Sequence, residues 1–163
     1  MHYAPIHKSF TFLSGNHSMV KKTNMIEVAC GVVIYEGKML LCQRSEQMKL
    51  PLKWEFPGGK VEANETPRNC IIREIQEELD IKIEVHHQLT TIIHNYSDFS
   101  LSLIPFICTC SHINYVLKGH KDAVWCSIDD IKNFDLAEAD KPIIDELRNL
   151  WNSGFMKPLL LKK

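Results

Sequence analysis

The stretch from Pro67 to about Leu79 constrains the fold of this chain more than any other. Ile71, Ile72, Ile75 and Leu79 recur at helical spacing on one side, and charged residues take the other. Thr66 offers a capping hydroxyl, and Pro67 suits the first helical position. An apolar stripe of this kind must be covered, and the segments around it read as strands.

Ile26 to Tyr35 is β-rich, and Glu36-Gly37 gives a tight turn into Lys38–Arg44, a hairpin pattern with Gly37 available for positive φ. Trp54 to Lys60 reads as a short strand running into a glycine-bearing loop. Further strands are expected near Glu84–Ile93, Phe99–Cys110 and Asp122–Ser127, followed by a cap at Ser127–Asp130. A second helix is expected from Lys141 to Trp151. Its stripe is Ile143, Ile144, Leu147, Leu150 and Trp151, and Gly154 is the stop. The expected fold class is α+β: one mixed sheet flanked by two main helices, in a single domain over residues 25–163. Residues 1–24 lack steady periodicity and form an N-terminal extension. They read as an ordered arm, a flexible extension, or translation upstream of a start at Met19 or Met25, with the flexible reading preferred.

A formal net charge of −1 argues against a large basic surface, so no stable nucleic-acid partner is expected. Such a balance suits an enzyme whose small anionic substrate meets local Arg or Lys groups and a metal. Five of the six cysteines sit beside apolar residues, and Cys108-Thr109-Cys110 has no second pair to complete a zinc knuckle. They read as reduced thiols in a reducing compartment. There is neither an apolar run able to cross a bilayer nor a secretory leader pattern. The expectation is a cytoplasmic protein without a membrane partner, either monomer or homodimer.

Chemistry concentrates on the charged side of the first helix. Glu74, Glu77 and Glu78 can project toward one side. Crowding like charges is unfavourable unless a divalent cation turns the repulsion into coordination. Hard oxygen ligands without His or Cys favour Mg²⁺, with Mn²⁺ as a substitute. Glu65 can add an oxygen or hold the loop, and Arg73 can orient Glu77 through a charge-assisted pair. Gly58-Gly59 lets backbone approach a metal–phosphate group closely. A Glu-rich amphipathic helix alone is most often a solvated face, so the specificity lies in the combination.

From Gly59 to Ile81 the chain reads GKVEANETPRNCIIREIQEELDI, and this resembles the box of the Nudix hydrolases, MutT-like branch. The resemblance spans about Met25 to Trp151. It implies an α/β/α sandwich, metal binding by Glu74, Glu77 and Glu78 with the Gly58 carbonyl, and hydrolysis of a nucleoside triphosphate to monophosphate and pyrophosphate. Two positions depart from the pattern. Asp80 stands where the family has glycine, a place where Asp tolerates left-handed backbone. Gly119 stands where some relatives carry a further glutamate, six residues before Trp125. His120 or Asp122 can substitute there, although the ordinary-loop reading is preferred for both. The base is then a glutamate of the box, with Glu77 and Glu78 leading.

For the substrate, Arg44 or Lys60 is expected to meet phosphate. Tyr96, Phe99 and Phe106 are candidates for stacking, although strand aromatics more often belong to the core. Asp140 lies in Leu136–Pro142, which resembles a loop that reads the base edge. An ionised Asp only accepts, which suits an amino group such as cytosine's, while a protonated one also donates. Oxidised guanine and cytosine-type nucleotides both stay open. So do hydrolysis of a nucleoside-diphosphate-linked metabolite and a non-catalytic nucleotide-binding module.

Overall fold

The computed structural model describes residues 25–160; the extension over 1–24 and its candidate starts lie outside them, apart from Met25. The strands are β1 (Met25–Tyr35), β2 (Lys38–Gln43), β3 (Trp54–Glu55), β4 (Gly58–Lys60), β5 (Ile83–Gln88), β6 (Ile92–Asn95), β7 (Ser100–Cys110) and β8 (Asp122–Cys126). Helix α1 spans Pro67–Leu79 and α2 spans Lys141–Asn152. β1 and β7 pair in parallel, and the other pairings are antiparallel, so the sheet is mixed as expected.

β1 and β7 are covered on both faces, which explains their nearly continuous apolar runs. Ala29 and Val33 of β1, with Ile104, Phe106 and Cys108 of β7, pack against Cys70, Ile71, Ile75 and Leu79 of α1. The alternate residues Cys30, Val32, Ile34, Leu103 and Ile107 pack against Ile143, Ile144 and Leu147 of α2. The period of two along each strand thus divides one chain into two cores.

Local chemistry sets the boundaries. Glu36 and Gly37 both take positive φ, as a two-residue hairpin turn of the primed type requires. The Asn69 N–H donates to Thr66 Oγ1 at the start of α1, and Asp80 ends it at φ 56° with its N–H on the Gln76 carbonyl. Ser127 and Asp130 exchange bonds at the head of the short 3₁₀ turn Asp130–Asn133.

Three readings are corrected. Ile72 is 40% exposed, and Cys70 takes its place in the buried stripe, because α1 turns positions 70, 71, 75 and 79 toward the sheet. The strand expected over Glu84–Ile93 is two strands: Gln88 lies opposite Phe106 and Ile92 opposite Leu103, so three residues must pass two. Pro105 in that gap has no N–H to give, while its carbonyl still accepts from Leu89. The Thr90 N–H leaves the ladder for the Glu146 carboxylate of α2. Phe106 is no stacking candidate, since it is 4% exposed in the α1-facing core.

Truncating Ile75 to Ala should cost roughly 2–5 kcal/mol in urea unfolding, whereas Ile72→Ala should stay within about 0.5 kcal/mol. Equal losses would mean that α1 docks by another face.

Candidate active site

Because α1 spends one face on the sheet, its acidic face is delivered to the mouth of a cleft. The cleft has a volume of about 390 Å³ and a floor of Val28, Cys30, Leu101 and Leu103. Glu55, Glu74 and Glu78 line it, as do Gly58, Gly59, Lys60, Arg44, Tyr96, Phe99 and Asp140. Of the residues expected to meet substrate, Arg44, Lys60, Tyr96, Phe99 and Asp140 therefore share one cavity with two of the three box glutamates, and Phe106 does not.

Arg73 organises the rim. Its Nε and Nη2 donate to the two oxygens of Glu65, each at 2.9 Å, and its Nη1 donates to Glu74 at 2.8 Å and Glu77 at 3.1 Å. The bidentate bond holds the Glu65 carboxyl down at about 2, so Glu65 ties the loop rather than facing the cleft. Glu77 stays 60% exposed on the rim. Gly58 and Gly59 answer different needs. A Cβ on Gly58 would sit 2.1 Å from the Ala29 carbonyl oxygen, where β4 pairs with β1, while one on Gly59 would meet the Glu74 carboxylate at 2.2–2.5 Å.

Glu78 Oε2 is sealed from solvent and makes no hydrogen bond within the protein. Burial pushes the Glu78 carboxyl up to about 7; Glu74, Glu55 and Glu77 add to that, and His120 opposes it. Glu55, which sequence reasoning missed, accepts from Arg44 on one oxygen and lies 3.1 Å from His120 Nε2 on the other. Its signal was a lone acid between Trp54 and Phe56 in a strand. His120 is not an ordinary loop residue, because its side chain is only 2% exposed. Arg44 is partly committed as well, donating to the Lys49 carbonyl besides Glu55.

The remaining lining suits a flat ligand. The rings of Tyr96 and Phe99 stack with centroids 4.7 Å apart, and Lys49 Nζ lies 4.4 Å from the Phe99 centroid. The Phe56 N–H donates to Asp140 Oδ1 at 2.9 Å. Burial pushes the Asp140 carboxyl up to about 8, with Glu55 adding to the rise and the Phe56 bond and Arg44 opposing it. The loop before Asp140 is pinned to β3 by Trp54 N–H to Asp135 and Ala137 N–H to Trp54.

A NUDIX domain model matches residues 29–146. The chain belongs to the Nudix family. It is similar to the CTP pyrophosphohydrolase of Escherichia coli K12, with 34% identity over 121 residues, covering 74% of this chain and 90% of the relative. It is also similar to the 8-oxo-dGTP diphosphatase of the same organism, with 25% identity over 126 residues, 77% of this chain and 98% of the relative. The solved structure of the E. coli ORF135 protein superimposes with a TM-score of 0.70 at 32% identity, covering 80% of this chain and 94% of that one. This Nudix chain is accordingly a hydrolase of phosphoric anhydride bonds. No described helix is long and apolar enough to cross a membrane.

Nudix hydrolases generally use a divalent metal, and the residues here fit one. Among the described residues, no three acidic, His or Cys side chains already close on one point. Arg73 draws Glu74 and Glu77 toward itself instead. What fits a hard cation is the uncompensated oxygen of Glu78 beside Glu74 and Glu55, together with the side-chain-free space at Gly59.

Gly59→Ala should displace the flexible Glu74 carboxylate and weaken Mn²⁺ binding, read by titration calorimetry, roughly 10- to 100-fold with little loss of Tm. Gly58→Ala should instead lower Tm, because its Cβ meets backbone. Normal Mn²⁺ affinity in the Gly59 variant would remove Glu74 from the site.

Proposed function

We propose that this Nudix hydrolase converts a nucleoside or deoxynucleoside triphosphate to the monophosphate and pyrophosphate with Mg²⁺, for which Mn²⁺ substitutes. One observation carries this reading: Glu78 and Glu74 line the same cleft as the Tyr96–Phe99 stack and Asp140. A hydrolytic end and a base-sized apolar end thus share one cavity. The names of the E. coli relatives, one acting on CTP and the other on 8-oxo-dGTP, support a triphosphate substrate.

Glu74, Glu77, Glu78 and the Gly58 carbonyl would hold the cation. When bound, Mg²⁺ neutralises charge on the diphosphate and makes nearby water more acidic. The reaction forms a bond from the water oxygen to phosphorus and breaks the P–O bond of the anhydride bridge, leaving that bond's electron pair on pyrophosphate. Glu78 takes the water's proton, since its side chain lines the cleft and burial raises its carboxyl toward neutrality. Arg73 holds Glu65, Glu74 and Glu77 in place. Lys60 and Lys49 supply charge for the phosphate chain, and Arg44 fixes Glu55. The base lies against Tyr96 and Phe99, and Asp140 meets its edge. Below about pH 8 that carboxyl both donates and accepts, and above it only accepts, so cytosine-type and oxidised guanine bases are both readable.

With Mg²⁺ and a panel of canonical, oxidised and methylated triphosphates, wild-type protein should release monophosphate and pyrophosphate in equal amounts. Glu78→Gln should lower kcat about 10²-fold or more. Release of inorganic phosphate alone would redirect the cleavage, and absence of hydrolysis across the panel would elevate the binding-module reading.

Asp140→Asn should reveal the buried acid in two ways. The folded carboxyl binds its proton more tightly than the ordinary 3.8. Its contribution to stability is therefore full below about pH 4 and is lost as pH rises through about 8. Urea unfolding should show the wild type losing stability relative to the Asn variant across that window. The wild-type ratio of kcat/KM for CTP over 8-oxo-dGTP should also change between pH 7 and 9, and that of the variant should not. A ratio equally flat in both would remove Asp140 from base selection.

A further inference from the structure

The aromatic end of the cleft is covered, and one of its covers is charged. Lys49 Nζ lies 4.4 Å from the centroid of the Phe99 ring, and Tyr96 stacks on the same ring at 4.7 Å. All three residues line the cleft. A base that lies on Phe99 therefore competes with one of the other two. Tyr96 is the fixed one. Its N–H donates to the Phe99 carbonyl at 2.9 Å, its hydroxyl accepts from the Ala139 N–H at 3.3 Å, and the His94 ring meets it edge-on with centroids 4.3 Å apart.

Lys49 is held only by its backbone. Its carbonyl accepts from Arg44 Nε. The loop is closed by the Arg44 N–H on the Lys53 carbonyl at 2.9 Å and the Leu52 N–H on the Arg44 carbonyl at 3.2 Å. Leu50 and Leu52 keep φ of 53° and 63°, values that leucine takes only where its surroundings impose them. The Lys49 side chain beyond this frame is exposed. Among the described residues the lysines in salt bridges are Lys53, Lys121 and Lys141, so the Lys49 ammonium is uncommitted apart from the ring. An exposed cation–π contact is worth about two- to fivefold in an equilibrium constant, whereas a charge-assisted bond to phosphate is worth roughly tenfold or more. Phe99 stands one residue before Ser100, the partner of Met25, and Lys60 pairs with Val28. The aromatic and acidic ends are thus about four residues of strand apart, roughly 13 Å. A ligand whose base lies on Phe99 sends its phosphate chain away from the ring that Lys49 touches.

We propose that Lys49 makes stacking on Phe99 conditional on phosphate. Its ammonium covers the ring until a phosphate chain draws it off, so the cleft admits nucleotides and penalises bare nucleosides of the same base. This rests on the reading of the cleft as a nucleotide site and adds a specificity-determining residue that couples the two ends of the ligand. No covalent bond changes; one side chain trades an aromatic partner for an anionic one. Lys60 lines the same cleft, and among the described residues it has no such ring contact. It therefore meets phosphate without guarding a ring.

Nucleoside and triphosphate forms of one base test this by effects of opposite sign. Cytidine with CTP, and 8-oxo-deoxyguanosine with 8-oxo-dGTP, are titrated by NMR into wild type, Lys49→Ala, Lys49→Arg and Lys60→Ala, with a chelator present to prevent turnover. For whichever base binds, Lys49→Ala should hold the nucleoside about two- to fivefold more tightly and the triphosphate about threefold or more less tightly. Lys49→Arg should stay near wild type, and Lys60→Ala should lose triphosphate affinity alone. Unchanged nucleoside affinity in Lys49→Ala would overturn the inference and leave a plain phosphate ligand; lowered nucleoside affinity would mark the residue as structural. An equal nucleoside gain in Lys60→Ala would also sink it, since removing any cation would then suffice. Wild-type protein with carbon-13 dimethylated lysines gives a second reading. The Lys49 signal, identified by its absence in Lys49→Arg, should sit upfield under the Phe99 ring current. It should move downfield with the triphosphate and stay in place with the nucleoside; a signal that the triphosphate leaves unmoved contradicts the exchange. Both measurements read binding. Wild type that binds a triphosphate but hydrolyses none under Mg²⁺ would overturn the hydrolase reading alone, and wild type that binds neither form of either base would overturn both.

Discussion

Everything at the site depends on how α1 is docked. Cys70, Ile71, Ile75 and Leu79 are each fully buried against the sheet. Burying side chains of the Ile and Leu kind is worth roughly 1.5–3 kcal/mol each. That stabilisation fixes the helix in rotation as well as position, so the opposite face has no freedom to turn its carboxylates away from one another. Gly59 packs at the closest point of approach, where any side chain would occupy the space of the Glu74 carboxylate.

Apolar packing thus holds together charges that would otherwise separate. Glu55, Glu74 and Glu78 line one cleft, and only part of their charge is met by Arg44 and Arg73. Burial raises the Glu78 carboxyl, and the neighbouring Glu74, Glu55 and Glu77 add to that rise. A fold selected only for stability would pair or expose these groups. The cost is explained if a cation and a substrate complete the electrostatics during function.

The aromatic end of the cleft is built on a different principle. Tyr96 comes just after β6 and Phe99 just before β7, and both ends of that turn are held by the Tyr96 N–H on the Phe99 carbonyl at 2.9 Å. Asp140 precedes α2 but does not cap it; its side chain reaches the Phe56 N–H beyond β3. The cavity joins elements from the beginning, middle and end of the chain, and the two cores on either face of the sheet hold their relative positions. This division leaves α1 to carry the acids and α2 to support the end of the cleft lined by Asp140.

The sequence by itself determined the helices, their caps and the acidic cluster, because these are local matters of period and spacing. Thr66, Pro67 and the stripe through Leu79 announced α1, and Ile143, Ile144 and Leu147 announced α2. The box from Gly59 to Ile81 carried the family. Only the tertiary structure decided which aromatics line the cleft and which pack in the core, since Phe99 and Phe106 look alike until the start and middle of β7 assign them different surroundings. It alone brought Glu55 and His120 to Glu78, across sequence separations no periodicity spans. The physical reason is the same in each case: caps and stripes are set by neighbours in the chain, whereas a buried hydrogen-bond partner is set by how distant strands and straps close around a common core.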